Sequence, residues 1–271
     1  MKDISLSEEK IRLCLKSELR GISLHLHHTI PSTNLLAREL VLAGATHGTT
    51  VLAEEQTAGR GRFARPFLSP EYSGLYFSVV LYASELDLSS PQLLTLRAAV
   101  AVCQAIEALT PLKPGIKWVN DILLDRRKVC GISCESISRG VIPWIIVGIG
   151  INITTQEEFF PDDLRRHVTS LYPREEPPFT RSQLTAEILG NLLTPAESLR
   201  GVALLEEYRR RLIMLGERIT VLDGDLSYEA TALDIDTEGC LIVRDDTGNL
   251  RTLISGEIST RIRENSQGLP V

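Results

Sequence analysis

Between two strongly apolar strand candidates, Thr49 to Glu54 and Gly74 to Tyr82, the chain carries a glycine-spaced run of three arginines, Gln56-Thr57-Ala58-Gly59-Arg60-Gly61-Arg62-Phe63-Ala64-Arg65. Flanked in this way it is a loop that two strands must hold at the end of a sheet. Gly59 and Gly61 let the backbone approach a ligand closely or adopt positive φ, and Arg60, Arg62 and Arg65 bring forked donors suited to carboxylate or phosphate oxygens. A solvated basic loop has the same local sequence, so both readings stand at this point. The spacing is not that of a P-loop, which ends in Gly-Lys-Ser/Thr and opens a helix.

Net charge decides how far the arginines speak for the whole molecule. At 271 residues, 43% hydrophobic and 24% charged with a net charge of −6, the chain reads as a mildly acidic globular protein, one large domain or a main domain with a small appendage. That balance argues against broad affinity for DNA or membranes, and makes the arginines local in purpose. No apolar run is expected to approach the ~18 to 20 residues of a membrane span, and Met1 to Lys10 lacks the apolar core of a signal peptide, so a cytoplasmic location is expected. Cys14, Cys103, Cys130, Cys134 and Cys240 are odd in number and form no Cys-x-x-Cys pair, which reads as reduced thiols. Cys130 and Cys134 share one face of a predicted strand without making a zinc set.

Residues Leu6 to Leu19 show an amphipathic helical pattern with Ser7 placed to cap it. This lead-in is too short for a winged helix-turn-helix, which needs on the order of 60 residues. Ile22 to His28 alternates as a strand, with His25 and His27 on its exposed side. Ser32-Thr33-Asn34 precedes the apolar run from Leu35, as at a helix start; capping accounts for one of the three, and three such side chains can also hold a polar ligand group. The helix is expected to end near Gly44, and another runs from Pro91 to Leu109.

A second region breaks the rules of a buried strand. Ile116 to Leu124 reads as one strand, yet it groups Lys117, Trp118, Asn120 and Asp121, a local conflict that points to a site. Asp125-Arg126-Arg127 is a turn, after which Lys128 to Glu135 returns as a hairpin partner and can set Lys128 near Asp121. A surface ion pair is the plainer reading of those two. Ile142 to Ile153 is a core strand thinned by Gly148 and Gly150, with Asn152 its one strongly polar side chain; no helix follows it, which excludes a dinucleotide fingerprint. A short helix is expected near Pro161 to His167, and longer ones over Thr180 to Leu193 and Leu199 to Leu215. Beyond Gly216 five short strands separated by turn dipeptides predict a small all-β barrel.

Ser32-Thr33-Asn34, the Gln56 to Arg65 run, Lys117-Trp118-Val119-Asn120-Asp121, Lys128 to Gly131 and Gly148 to Asn152 together resemble the biotin protein ligases in order and spacing. Gly256-Glu257-Ile258-Ser259 resembles that family's C-terminal barrel, so the likeness covers about residues 22 to 263. It implies an α+β fold: a mixed β-sheet catalytic domain flanked by helices, similar to class II aminoacyl-tRNA synthetases, then a small SH3-like barrel. The implied division is 1–21 a helical lead-in, 22–215 the catalytic domain, 216–263 the barrel and 264–271 a tail.

The implied activity is condensation of biotin with Mg-ATP to biotinyl-5′-AMP, then transfer to one lysine of a biotin carboxyl carrier protein. By the same resemblance Ser32, Thr33, Asn34, Gln56, Gly59, Arg60, Gly61, Arg62, Lys128 and Gly131 bind biotin, with Arg60 and Arg62 as a closing loop. Lys128, with Arg60 and Arg62, serves catalysis, stabilising the charge that develops in adenylation. Arg65, Lys117, Asn120, Asp121 and Asn152 serve ATP, and Asp121 helps place Mg²⁺ or the lysine. A monomer or homodimer is expected, with no DNA partner and no repressor activity. The sequence departs from the family where Ala64, Phe67 and Val119 stand in place of the common Gly, Trp and Pro; Ala64 restricts the loop if that position needs positive φ. Two rivals remain: a lipoate or octanoate ligase of the same fold, which needs a long apolar channel in place of polar Ser32, Thr33 and Gln56, and a non-catalytic ligand-binding protein with an SH3-like module.

Overall fold

The computed structural model describes residues 5–62, 65–85, 91–138, 143–223, 226–254 and 258–262. Ala64, the Gly256-Glu257 pair and the tail from 263 lie outside the described residues.

The chain begins with helix α1 (Glu8–Cys14), where Ser7 accepts a bond from the Lys10 N–H as its cap. The helix is shorter than its apolar pattern suggests, because a separate 3₁₀ turn, Ser17–Leu19, takes the last residues. Strand β1 (Leu24–Ile30), helix α2 (Thr33–Ala43) and strand β2 (Thr50–Gln56) follow. Gly44 closes α2 at φ 108°, a conformation that favours glycine. His25 and His27 are half-buried rather than exposed, and His25 bonds Ser23.

Strand β3 (Gly74–Tyr82) and helix α3 (Pro91–Leu109) lie where composition puts them. The span expected as one strand over Ile116 to Leu124 is instead a hairpin: β4 (Gly115–Lys117) and β5 (Asp121–Leu124) pair antiparallel, with Trp118, Val119 and Asn120 at the turn between them. Their side chains find partners that a strand would not give them. The Trp118 indole donates to Gly239 O at 3.0 Å, and the Tyr208 hydroxyl donates to Val119 O at 3.0 Å. Strands β6 (Arg127–Ile137) and β7 (Trp144–Asn152) complete a seven-stranded mixed sheet of order β1-β2-β3-β7-β6-β5-β4, in which β1 and β2 pair parallel and the other ladders among the described residues are antiparallel. The short helix expected near Pro161 to His167 is a series of turns, and a 3₁₀ turn lies just before it at Glu157–Phe159.

Helices α4 (Arg181–Leu193) and α5 (Gly201–Arg211) precede five antiparallel strands, β8 (Arg218–Asp223), β9 (Leu226–Ile235), β10 (Leu241–Asp245), β11 (Leu250–Leu253) and β12 (Ile258–Ile262). They form a second sheet of order β11-β10-β9-β8-β12.

The two faces of the large sheet are covered unequally, and this decides where a ligand can go. One face packs on α3, α4, α5 and α1 through residues such as Leu52, Val79, Leu81, Ile132, Val147 and Ile149. On the other face Val51, Val80, Ile137 and Ile146 pack against Ala37 and Val41 of α2, with Ile30, Leu36, Leu40 and Trp144 half-buried around them. Helix α3 contains a window, Gln92–Leu109, long and apolar enough to cross a membrane, contrary to the sequence expectation. Its setting is that of a core helix, with 72% of the window buried against the sheet and its neighbours.

Glu54 of β2 is a buried carboxylate that ties three segments together. It accepts from Arg181 Nη1 at 2.6 Å and from the Leu6 N–H at 2.6 Å, while the same Arg181 nitrogen donates to Gly74 O at 3.2 Å. Both side chains are under a tenth exposed. Removing one member leaves the other charge buried, so Glu54→Ala is expected to cost about 3 to 5 kcal/mol in urea unfolding. A loss below about 1 kcal/mol, the scale of a surface pair, would show that Arg181 is solvated without it.

Candidate functional site

The sheet face that α2 leaves open is floored by small residues in register. Ser78 of β3 stands opposite Gly148 of β7, which stands opposite Ser133 of β6; Tyr76, Gly150 and Gly131 make the next row. Glycine at 148 and 150 lets side chains from elsewhere lie directly on the sheet. A Cβ at 148 would collide with Asn34 Oδ1, and one at 150 would overlap the Phe67 ring.

A narrow cleft runs over this floor, lined by Ser32, Thr33, Asn34, Gln56, Ser133 and Gly148 at one end and by Arg60, Gly61, Arg62, Asn120 and Lys128 at the other. Ser32 takes the N-cap position but makes no side-chain capping bond, and it is buried against the cleft. The Thr33 N–H donates to Gln56 Oε1 at 2.8 Å, and the Gln56 amide donates to Ser69 Oγ at 2.9 Å, which fixes that amide's orientation.

The arginine loop folds back on itself: the Gly61 N–H donates to Arg65 O at 2.8 Å and the Phe67 N–H to Gly59 O at 2.9 Å. Gly59 is buried behind the wall, where a side chain would strike Phe67 O; it shapes the loop and does not line the cleft. Arg62 donates to Asn120 Oδ1 at 3.1 Å, and Asn120 is itself pinned to β6 by its Nδ2 bond to Ile132 O at 2.8 Å. Burial pushes the Arg62 guanidinium below its ordinary pKa, and the charge of Asp121 opposes that shift.

Lys128 joins the cleft through an irregularity. A register shift in the β5–β6 ladder sets Lys128 opposite Leu123 and Gly131 opposite Asp121, and the Lys128 ammonium reaches Asp121 Oδ1 at 2.7 Å. Its backbone is clamped from outside the sheet: the Lys128 N–H donates to His167 O at 2.8 Å, and the Thr169 N–H donates to Lys128 O at 2.8 Å. Asn152, buried on β7, holds that clamp through Nδ2 to Thr169 O at 3.1 Å.

Beside the cleft lies a wider cavity of ≈ 460 Å³, lined by Arg62, Arg65, Lys117, Trp118, Asn120, Asp121, Lys128 and Asn152, with Phe160 and Leu164 opposite. Cleft and cavity share Gly61, Arg62, Phe67, Asn120 and Lys128. The two spaces therefore meet at two cations. Sequence reasoning named most of these residues but not the Phe160–Val168 wall, which has no motif, nor Ser78, Ser133 and Glu135, whose relation to Asn34 exists only across strands. Phe67 was marked only as a departure; it lies on Gly150 and meets Tyr76 edge-on, with ring centroids 6.4 Å apart. Among the described residues, no group of three or more His, Cys, Asp or Glu side chains is placed to hold a metal ion.

A sheet face thinned by glycines and a cationic junction between two cavities make a site suited to bringing two small anions together. Residues 26–152 match the model of the Biotin/lipoate A/B protein ligase family, and residues 214–261 match the Biotin protein ligase C terminal domain. The chain is 36% identical over 93% of its length to the "Bifunctional ligase/repressor BirA" of Bacillus spizizenii, covering 78% of that protein. It is 31% identical to the "Biotin--[acetyl-CoA-carboxylase] ligase" of Mycobacterium tuberculosis, with 83% of each covered. Among solved structures, the biotin protein ligase of Aquifex aeolicus in complex with biotin and ATP superposes with TM-score 0.74 at 27% identity, covering 88% of this chain and 98% of that one. The chain belongs to the biotin protein ligase family.

Proposed function

We propose that this enzyme condenses biotin with ATP in the joined cleft and cavity, and then passes the biotinyl group to a lysine of a biotin carboxyl carrier protein. The observation that carries the reading is the sharing of Arg62 and Lys128 by both spaces. In the first step a biotin carboxylate oxygen attacks the α-phosphorus of ATP, a P–O bond forms, and the bond to the β-phosphate breaks to release pyrophosphate. Two anions must approach each other, so cations at the junction lower the barrier. In the second step the acceptor's neutral amine attacks the acyl carbon and AMP leaves.

In this reading Ser32, Thr33 and Gln56 take the ureido ring, with Asn34 held behind them by Ser78, Ser133 and Glu135, while Arg60, Gly61, Arg62 and Gly131 enclose the biotin chain and carboxylate. Arg65, Lys117, Asn120 and Asn152 serve the nucleotide. Phe67 on its glycine floor supplies apolar surface, and Ala64, Phe67 and Val119 leave the activity in place. Magnesium fits as an ion carried by the triphosphate: it commonly needs only one or two protein carboxylates beside substrate phosphates, and Asp121 and Asp163 line the larger cavity. Asp121 would hold it there, where the ion would screen the leaving pyrophosphate.

The division into a catalytic domain over 22–215 and a barrel over 216–263 is supported by the presence of two separate sheets. A cytoplasmic setting is in keeping with the five free cysteines.

Biotin-dependent exchange of labelled pyrophosphate into ATP tests the first step and separates an enzyme from a binding protein. Exchange with biotin and none with lipoate or octanoate is expected; exchange driven by lipoate alone would assign the chain to the other branch of the matched family.

A further inference from the structure

We propose that Glu135, which lines neither cavity, is a positioning residue that sets the direction of the hydrogen bonds at the ring end of the cleft, so that Thr33 and Gln56 face the ligand as acceptors. The inference rests on the functional reading above for the identity of the ligand.

The chain of bonds runs from the surface inward. Glu135 Oε1 accepts from Asn34 Nδ2 at 2.6 Å, and Ser133 Oγ lies 3.1 Å from the same nitrogen. An ionised carboxylate only accepts, so the amide must turn its nitrogen toward Glu135 and its oxygen inward. Asn34 Oδ1 then faces Ser78 Oγ at 2.5 Å, and that oxygen can only accept. The single Ser78 proton is thereby committed to Asn34. Ser78 Oγ also lies 2.7 Å from Thr33 Oγ1, and with its own proton spent it must accept there, so the Thr33 proton points at Ser78.

Two consequences follow at the cleft wall. Thr33 Oγ1 lies 3.1 Å from Gln56 Oε1, yet no proton is left to sit between them. Gln56 Oε1 is oriented by the Thr33 N–H and by the bond from its own Nε2 to Ser69, so it too presents an acceptor. Two adjacent acceptors call for a donor from the ligand, and a cyclic urea N–H is one. Removing the negative charge removes the direction: glutamine at this position can donate as well as accept, so Asn34 can flip, Ser78 can turn its proton to Thr33, and Thr33 can become a donor. Gly148 is part of the device, because a Cβ there would displace Asn34 Oδ1.

The test compares E135Q, N34D and the double variant N34D/E135Q by calorimetric biotin binding and by steady-state adenylation. E135Q is expected to weaken biotin binding about tenfold, the scale of one net hydrogen bond, as a raised KM with kcat and the KM for ATP unchanged. N34D sets two carboxylates together and is expected to weaken biotin about a hundredfold. In the double variant the carboxylate introduced by N34D accepts both from Ser78 and from the side-chain amide introduced by E135Q, which restores the original direction, and binding is expected within about threefold of the parent. Rescue separates direction-setting from mere packing, since a structural role would leave the double variant no better than N34D. Binding by E135Q within about twofold of the parent, or absence of rescue, overturns the proposal. A parent protein that does not bind biotin at all would instead overturn the functional reading on which it stands.

Discussion

Lys128→Ala is expected to lower the rate of biotin-dependent pyrophosphate exchange about 10²- to 10³-fold, the cost typical of deleting one preorganised donor at a developing charge. Biotin affinity, measured by calorimetry without ATP, is expected to change only a few-fold. The split follows from where the ammonium sits. It lies at the junction of the two cavities, 2.7 Å from Asp121, with its backbone clamped by His167 and Thr169. Its attraction for the carboxylate alone is offset by the pairing with Asp121, whereas a pentavalent phosphoryl group joined to that carboxylate brings more charge to the same place. An interaction that strengthens in the transition state appears in kcat. Lost affinity with unchanged turnover would reassign Lys128 to uniform binding.

The second large effect concerns retention of the adenylate. Arg62 is shared by both cavities, is held to Asn120 and belongs to a loop that folds back through the Gly61 to Arg65 bond. A guanidinium there can bridge the carboxyl and phosphoryl oxygens of the mixed anhydride. Arg62→Ala is expected to release biotinyl-5′-AMP about tenfold to a hundredfold faster, the cost of one or two charge-assisted bonds, read as free adenylate in rapid filtration without acceptor. Because the anhydride hydrolyses in water, ATP consumed per biotin transferred should rise together with the leakage. Equal retention by mutant and parent would mean that the arginine loop does not close over the intermediate.

How much of this was visible in the sequence depends on how local each signal is. Strand β3 and helix α3 carry unbroken apolar patterns over their whole lengths, and their sequence bounds coincide with those in the structure. The Ser7 cap and the glycine close of α2 were legible for the same reason, since each acts within one turn. The Trp118-Val119-Asn120 turn was misread because its apolar residues satisfy the interior by other means: Trp118 against Gly239 and Val119 against Tyr208, both far along the chain. The Asn34 link to Glu135 spans 101 positions and has no local pattern at all. The arginine loop, by contrast, was read directly, because a polar run between two apolar strands has few places to go, while the closeness of Lys128 to it needed the sheet to be assembled.

The account depends most on one claim, that the anions meeting at Arg62 and Lys128 are biotin and ATP and that the product reaches a protein lysine. The direct measurement is incubation of the purified chain with labelled biotin, ATP and a biotin carboxyl carrier domain, followed by denaturing electrophoresis and mass spectrometry of the carrier. The expected result is one biotinyl group on a single carrier lysine, dependent on ATP and lost when that lysine is replaced. An unlabelled carrier, with ATP and biotin both left intact by a chain shown to be folded, would contradict it.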